Sequence, residues 1–425
     1  TKFMDYADWA GVVDIVSNDH YLSVARPDAF EELCFSANLV RGTAGGKPWF
    51  LMEHSTSAVN WQPVNVPKSP GQLSRDSLAH VAHGSDAVSF FQWRQSVAGA
   101  EKFHSAMLPH AGVDSQLWRD VCALGEILQR IAEVTGTTCE PAQVAILFDW
   151  PSWWASELDS CPSQLVRYRE IATEWYAALT GLGIAVDVQP AAADFSAYRM
   201  VVAPTLYLVD AQLRARLEAY VEAGGHLVTT FFSGIADEND HIYVGGFPGA
   251  LRDLLGSRVE ELAPLLPGSR VNLDDGSVAT DWAEHVSLVG PDVAPLLRYV
   301  DGDAAGVAAA TRREVGAGSA VYVGAKLDAA SLRRLCRRLV APAGVVAELD
   351  DAVAQAVSRR VRSDETQRFI FLINHSAEPQ TVATEPGVDL ICGSAVTSSV
   401  TLDGFGVAVV RTSRPKEDRH AGQPQ

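Results

Sequence analysis

Three regimes of hydrophobic and polar patterning follow one another along the chain. Up to about residue 136, short apolar runs end in polar or aromatic residues and alternate with helical spacing. Residues 1–4 read as a strand tail, 12–17 as a strand ending in Asn18-Asp19-His20-Tyr21, 49–52 as a buried strand, and 87–94 as another. Helical patterns occupy 27–41 and 74–84. Near-continuous apolar strands alternating with helices predict a parallel sheet covered on both faces. A helix over 114–134 closes the region. It is capped at Asp114 or Ser115, carries Leu117, Val121, Leu124, Leu128 and Ile131 on one face, and stops at Gly136.

From residue 137 the elements come at shorter spacing. Strands are expected at 144–148, 184–188, 200–203 and 227–232, and helices at 163–179, 211–222 and 328–339. That alternation predicts a doubly wound α/β domain over 137–342. Beyond the linker Ala341-Pro342-Ala343-Gly344, strand patterns at 353–362, 369–374 and 402–411 predict a small antiparallel β domain over 346–413. Residues 414–425 are polar and charged and read as a disordered tail.

The sharpest local feature is PWFLMEHSTSAVNWQ at 48–62. A lone carboxylate, Glu53, ends an apolar strand and is followed by a polar loop with Trp61 in it. Strand C-terminal ends are where a (β/α)8 barrel keeps its reactive groups, although position alone is equally compatible with a solvated glutamate. Acid–base and nucleophilic catalysis both draw on paired carboxyl groups held at such strand ends. Read from the residues alone, Glu53 pairs with Glu101, which lies just beyond the next strand. Trp61, beside Asn60 and Gln62 in a polar loop, suits the wall of a pocket better than a place in the core. Phe91 and Trp93 share one side of a strand, where core is the alternative. His104, three residues after Glu101, either reaches the same ligand or packs beneath the loop.

Other candidates read more plainly. Asp19, His20 and Tyr21 end a strand and are given no role. His80 and His83 mimic a metal pair, but on a shell helix without a third ligand they read as packing or solvated residues. His54 is a weaker case of the same kind. Asp237, Glu238, Asp240 and His241 form an acidic cluster that would suit a hard cation, yet a solvated loop or subunit contact is the better reading. No metal and no other cofactor is expected.

The run at 48–62, the run VSFFQWRQSVAGAEKFHSAMLPHAG at 88–112 and FDWPSWW at 148–154 closely resemble glycoside hydrolase family 42 β-galactosidases. The likeness extends over essentially the whole chain. It implies the C-terminal half of a (β/α)8 barrel, a middle α/β domain similar to glutamine amidotransferases, and a small antiparallel β domain. It implies a retaining enzyme acting on terminal non-reducing β-D-galactose, with α-L-arabinopyranosides also compatible. Glu53 falls on the nucleophile, Trp61, Glu101 and His104 on galactose-pocket residues, and Phe91 on an aromatic wall. Glu101 becomes, on this reading, a ligand of sugar hydroxyls. Family members carry four barrel strands before the point where this chain opens, with the acid/base Glu, preceded by Asn, on the fourth. Nothing in 1–425 matches that pair, so a C-terminal fragment, inactive alone, is expected. The middle domain has no cysteine at its strand ends, Ala203-Pro204-Thr205 and Phe232-Ser233-Gly234. It reads as architectural, and the family implies a homotrimer.

Composition narrows the partners. A length of 425 residues allows two to four domains, and a net charge of −18 argues against nucleic acid or an anionic membrane as partner. Six scattered cysteines without C-x-x-C spacing read as reduced thiols, which with the family points to the cytoplasm. The competing reading is a non-catalytic assembly or sugar-binding piece with no activity of its own.

Overall fold

The computed structural model describes residues 2–290 and 292–414; most of the expected tail lies outside them. The chain opens not with a strand but with helix α1 (Tyr6–Ala10), whose first turn is capped by the Asp5 carboxylate accepting from the Ala7 N–H. Residues 2–4 form no strand, and the apolar run after the helix, with Val12, Val13 and Ile15, is exposed. Strand β1 (Ser17–His20) begins where the expected one ended. There follow α2 (Ala29–Thr43), β2 (Trp49–His54), α3 (Gln72–Ala82), β3 (Ser85–Val88) and α4 (Gln116–Arg130). The Ser115 hydroxyl caps α4 by accepting the Trp118 N–H. Next come β4 (Thr138–Cys139), β5 (Val144–Phe148), α5 (Trp150–Ser156), α6 (Tyr168–Thr180), β6 (Val186–Pro190), β7 (Met200–Ala203), α7 (Ala211–Glu222) and β8 (His226–Thr230).

The chain folds as two compact units. One comprises residues 15–41, 46–140 and the chain from 356 onward. It holds a parallel sheet of order β1-β2-β3. Pairing, rather than apolar content, defines β1: Ser17 and Asn18 face Phe50 and Leu51, and after a register shift Asp19 and His20 face Glu53 and His54. Trp49 and Leu51 are fully buried, and the Trp49 indole N–H donates to the His83 carbonyl. The face of α4 bearing Leu117, Val121, Leu124 and Leu128 packs with Leu73, Phe90 and Met107. An antiparallel sheet in the same unit includes β4 and the strands Val357–Ser363, Gln367–Asn374 and Val407–Ser413.

Arg362 binds these parts of the unit together. Its guanidinium is fully buried and all five N–H donors are used. One terminal nitrogen reaches the Val81 and Ser85 carbonyls at 2.9 and 3.1 Å. The other reaches Asp86 at 2.6 Å and the Thr137 carbonyl at 2.7 Å, while Nε donates to the Thr137 hydroxyl.

The other unit, residues 1–14, 42–45 and 141–355, is built on a nine-stranded mixed sheet. Strands β6, β5, β7, β8 and Gly318–Val323 run parallel, and Ala308–Val315 opens the antiparallel part. Every residue of β5 and β7 is buried, as a sheet covered on both faces demands. The Asp210 carboxylate caps α7 and Gly224-Gly225 follow it, which is why its limits are those read from the sequence.

A carboxyl group lies in this unit's core. Glu284 is fully buried; Oε1 accepts the Trp282 indole N–H at 2.9 Å and Oε2 accepts the Tyr322 hydroxyl. Burial outweighs those hydrogen bonds and pushes its pKa from 4.5 up to about 7. A raised carboxyl stabilises the fold fully below the unfolded pKa and loses that contribution as pH rises through the folded one. The gap of about 2.5 units corresponds to roughly 3 kcal/mol. Glu284→Gln should therefore gain roughly 3 kcal/mol relative to the parent between about pH 4.5 and 7.5 in urea unfolding. A difference that does not change with pH would contradict the buried-acid account.

Candidate active site

The β1–β2 register builds the site. Asp19 and Glu53 are direct cross-strand partners, and Tyr21 follows β1. The Tyr21 hydroxyl donates to Glu53 Oε2 at 2.5 Å. Burial first, then this hydrogen bond and the charges of Glu53, Asp19 and Glu101, push the Tyr21 phenol well up, so it stays a proton donor. Burial and the Glu53 charge also raise the Asp19 carboxyl. The Tyr21–Glu53 bond is a contact the sequence could not show, because the partners lie 32 residues apart.

An aromatic group stands around it. Tyr21 meets Trp61 edge-on at 4.9 Å, and Trp61 stacks on His104 at 5.2 Å. Phe91 and Tyr21 both present T-shaped contacts to the His104 ring, at 5.2 and 5.8 Å. Trp61 keeps 52% of its surface exposed, whereas His104 is fully buried with Nδ1 on the Ser105 carbonyl and Nε2 unpartnered. Glu101 is held from the other side: Asn60 Nδ2 donates to its Oε2 at 3.0 Å and to the Ala100 carbonyl at 2.9 Å. Glu53, Trp61, Phe91, Glu101 and His104 are therefore linked through Tyr21 and Asn60. Phe91 and Trp93 lie beyond the end of β3 rather than within a strand, and Trp93 is exposed rather than core.

The loops carrying these groups are tied to each other and to the sheet. The Phe91 N–H donates to the His54 carbonyl, the Ser105 N–H to the Ala58 carbonyl, and the Ser57 N–H to the Ser105 hydroxyl. Behind β2 lies an ionic core. Lys68 Nζ donates to His54 Nε2 at 3.0 Å and pairs with Asp76 at 3.0 Å; both side chains are buried. Arg75 adds two donors to Asp76, at 2.5 and 2.8 Å. Burial alone would raise the Asp76 carboxyl, but the Lys68 and Arg75 charges outweigh it and hold it below its ordinary value. Burial, and then the Lys68 charge, push His54 well down, leaving a neutral ring whose Nδ1–H donates to the His20 carbonyl.

The remaining candidates separate. His80 and His83 are both buried, so neither is solvated; His83 Nδ1 meets the Ala79 carbonyl, while His80 faces His20 and His54 instead. Asp237 spends its carboxylate on the N–H groups of Asn239 and His241 in its own loop. At the strand ends of the α/β unit, Thr205 and Phe232 adopt positive φ, and the Ser233 hydroxyl accepts the Leu206 N–H.

Residues 1–131 match the β-galactosidase family model, 142–346 the β-galactosidase trimerisation domain, and 356–412 the β-galactosidase C-terminal domain. A β-galactosidase from an Arthrobacter species is 47% identical over 96% of this chain and 58% of its own length. The chain belongs to glycoside hydrolase family 42. β-Galactosidase BbgII of Bifidobacterium bifidum is 41% identical over 96% of the chain and 61% of its own length. The crystal structure of the Bacillus circulans sp. alkalophilus β-galactosidase superposes with a TM-score of 0.90 at 34% identity, covering 96% of this chain and 61% of that one. A catalytic mutant of Gan42B, a GH42 β-galactosidase from G. stearothermophilus, gives 0.90 at 31% identity, covering 97% and 62%. The chain thus spans about three-fifths of the length of these relatives. The fold class is that of the family: part of a (β/α)8 barrel, a doubly wound α/β domain and a small antiparallel β domain. No helix among the described residues is long and apolar enough to cross a membrane.

The ionic core generates a stability prediction. Asp76→Ala leaves the Lys68 and Arg75 charges buried without a counter-charge, which should cost about 3–5 kcal/mol in urea unfolding. A loss below about 1 kcal/mol would show that the loop and helix are held by other contacts.

Proposed function

We propose that the complete protein is a retaining β-galactosidase that removes terminal non-reducing β-D-galactose, with Glu53 as nucleophile. The observation that carries this reading is the Tyr21–Glu53 hydrogen bond inside the aromatic group. Tyr21 occupies Oε2, so Oε1 is the oxygen left to attack the anomeric carbon. The C–O bond to the aglycone breaks as the galactosyl ester on Glu53 forms, and water then attacks the same carbon and frees the carboxylate. A general acid/base must protonate the departing oxygen and later deprotonate that water. We assign it to a second glutamate outside residues 1–425.

Glu101 serves binding. Asn60 fixes one of its oxygens beside Trp61, and the carboxylate can accept two sugar hydroxyls with its remaining lone pairs. The exposed Trp61 face suits the C–H face of galactose, with the unpartnered His104 Nε2 and the Phe91 ring completing the pocket wall. The trimerisation-domain match supports a homotrimer. The six free thiols, in a chain without disulfides among the described residues, support a cytoplasmic location.

In the complete enzyme, Glu53→Gly should lose at least about 10³-fold in kcat on an aryl β-galactoside. Azide should restore turnover to that variant by entering the space of the missing carboxylate; rescue of Glu101→Gly but not of Glu53→Gly would transfer the nucleophile to Glu101. Tyr21→Phe removes a hydrogen bond to a charged group, so kcat/KM should fall roughly 10- to 100-fold. An unchanged kcat/KM would mean that Tyr21 does not orient Glu53 in the reacting complex.

A further inference from the structure

Where α3 packs on β1 and β2, three imidazoles meet. His20, His54 and His80 come from three different elements, are 6%, 0% and 0% exposed, and each offers a ring nitrogen within 4.8 Å of the others. The His20 and His54 rings lie 5.0 and 5.6 Å from that of His80. The chemistry proposed for Glu53 uses none of these rings.

Their hydrogen bonds are unusual for core histidines. His80 has no partner on either nitrogen, and His20 has none on Nδ1. Buried polar atoms are almost always satisfied, and an imidazole with both nitrogens unmatched in a packed interior needs a reason. The other nitrogens are held as they are in metal-ligating histidines, which donate their second N–H to a carboxylate or a carbonyl. His20 Nε2 meets Glu32 Oε2 at 3.0 Å, which leaves the Nδ1 lone pair free. His54 Nδ1 meets the His20 carbonyl at 2.9 Å, which leaves Nε2 as its ligand atom.

We propose that His20, His54 and His80 form a binding site for a borderline first-row dication of the zinc or copper class. Imidazole ligands select such ions over calcium or magnesium. Metal–nitrogen bonds of about 2.0–2.1 Å require the three nitrogens to close to roughly 3.4 Å, a movement within reach of ring rotation. The lone pair of His54 Nε2 now accepts from Lys68 Nζ, so the ion must displace that ammonium, which keeps its pairing with Asp76. Lys68 is thus a competitor that sets the affinity. Two of the three ligands are chain neighbours of Tyr21 and Glu53, so an occupied site fixes both strand ends from behind.

The test uses the complete, untagged protein, stripped with a chelator and then given Zn²⁺ or Cu²⁺ alone. About one ion per chain should survive gel filtration and raise the unfolding temperature. The Cu²⁺ form should show nitrogen hyperfine coupling in its electron paramagnetic resonance spectrum. His80→Gln and His20→Gln should each lose the retained ion and the thermal shift; two variants are used so that misfolding of one leaves the other to decide. Lys68→Met should tighten binding roughly tenfold or more, because a buried cation beside the ion is removed while Asp76 keeps Arg75. No retained ion, equal retention by the histidine variants, or unchanged affinity in Lys68→Met would each overturn the three-histidine site.

Discussion

One buried ammonium holds the strand end on which the rest of the site depends. Lys68 reaches from the loop after β2 to His54, the neighbour of Glu53, and to Asp76 on α3. A buried ion pair is a poor source of net stability, because desolvating two charges offsets most of their attraction. What it supplies is geometry, since neither partner can leave without stranding the other. The loop carrying Asn60 and Trp61, the strand carrying Glu53 and the helix behind them are thereby fixed at one point. Arg75 completes the arrangement from the same helix, with its guanidinium between the Phe30 and Phe405 rings.

From that fixed strand end the two glutamates acquire different surroundings. Glu53 accepts a single short hydrogen bond from a phenol kept protonated by burial and by nearby negative charge. Glu101 accepts from an amide in the neighbouring loop. The Glu53, Asp19 and Glu101 charges all act on Tyr21, and in the proposed reaction negative charge there suits a neutral sugar that develops positive charge at the anomeric carbon. The acidity of the whole chain points the same way without specifying it.

Much of this was legible in the sequence, for identifiable reasons. Strongly marked elements announced themselves: β5 and β7 as wholly apolar runs, α7 by an Asp cap and a Gly-Gly stop, α4 by its apolar stripe. The strand end at Glu53 was visible as a charge closing an apolar run. What could not be read was pairing. The polar β1, Ser-Asn-Asp-His, is a strand because β2 hydrogen-bonds to it, while the apolar run before it lies exposed. The bond from Tyr21 to Glu53 depends on that register and on the shift within it. Spacing also misled: His80 and His83 sit three apart, yet His80 turns toward histidines 26 and 60 residues earlier in the chain. Local periodicity reports faces of one element, and a site assembled from three elements escapes it.

The central claim is that the carboxylate held by Tyr21 is the one that attacks the sugar. The most direct measurement is to trap the intermediate in the complete enzyme with a 2-deoxy-2-fluoro-galactosyl donor and locate the label by peptide mass spectrometry. The account predicts one added sugar on the peptide spanning residues 48–62, at Glu53. A label on Glu101, or on any residue outside that peptide, would contradict it.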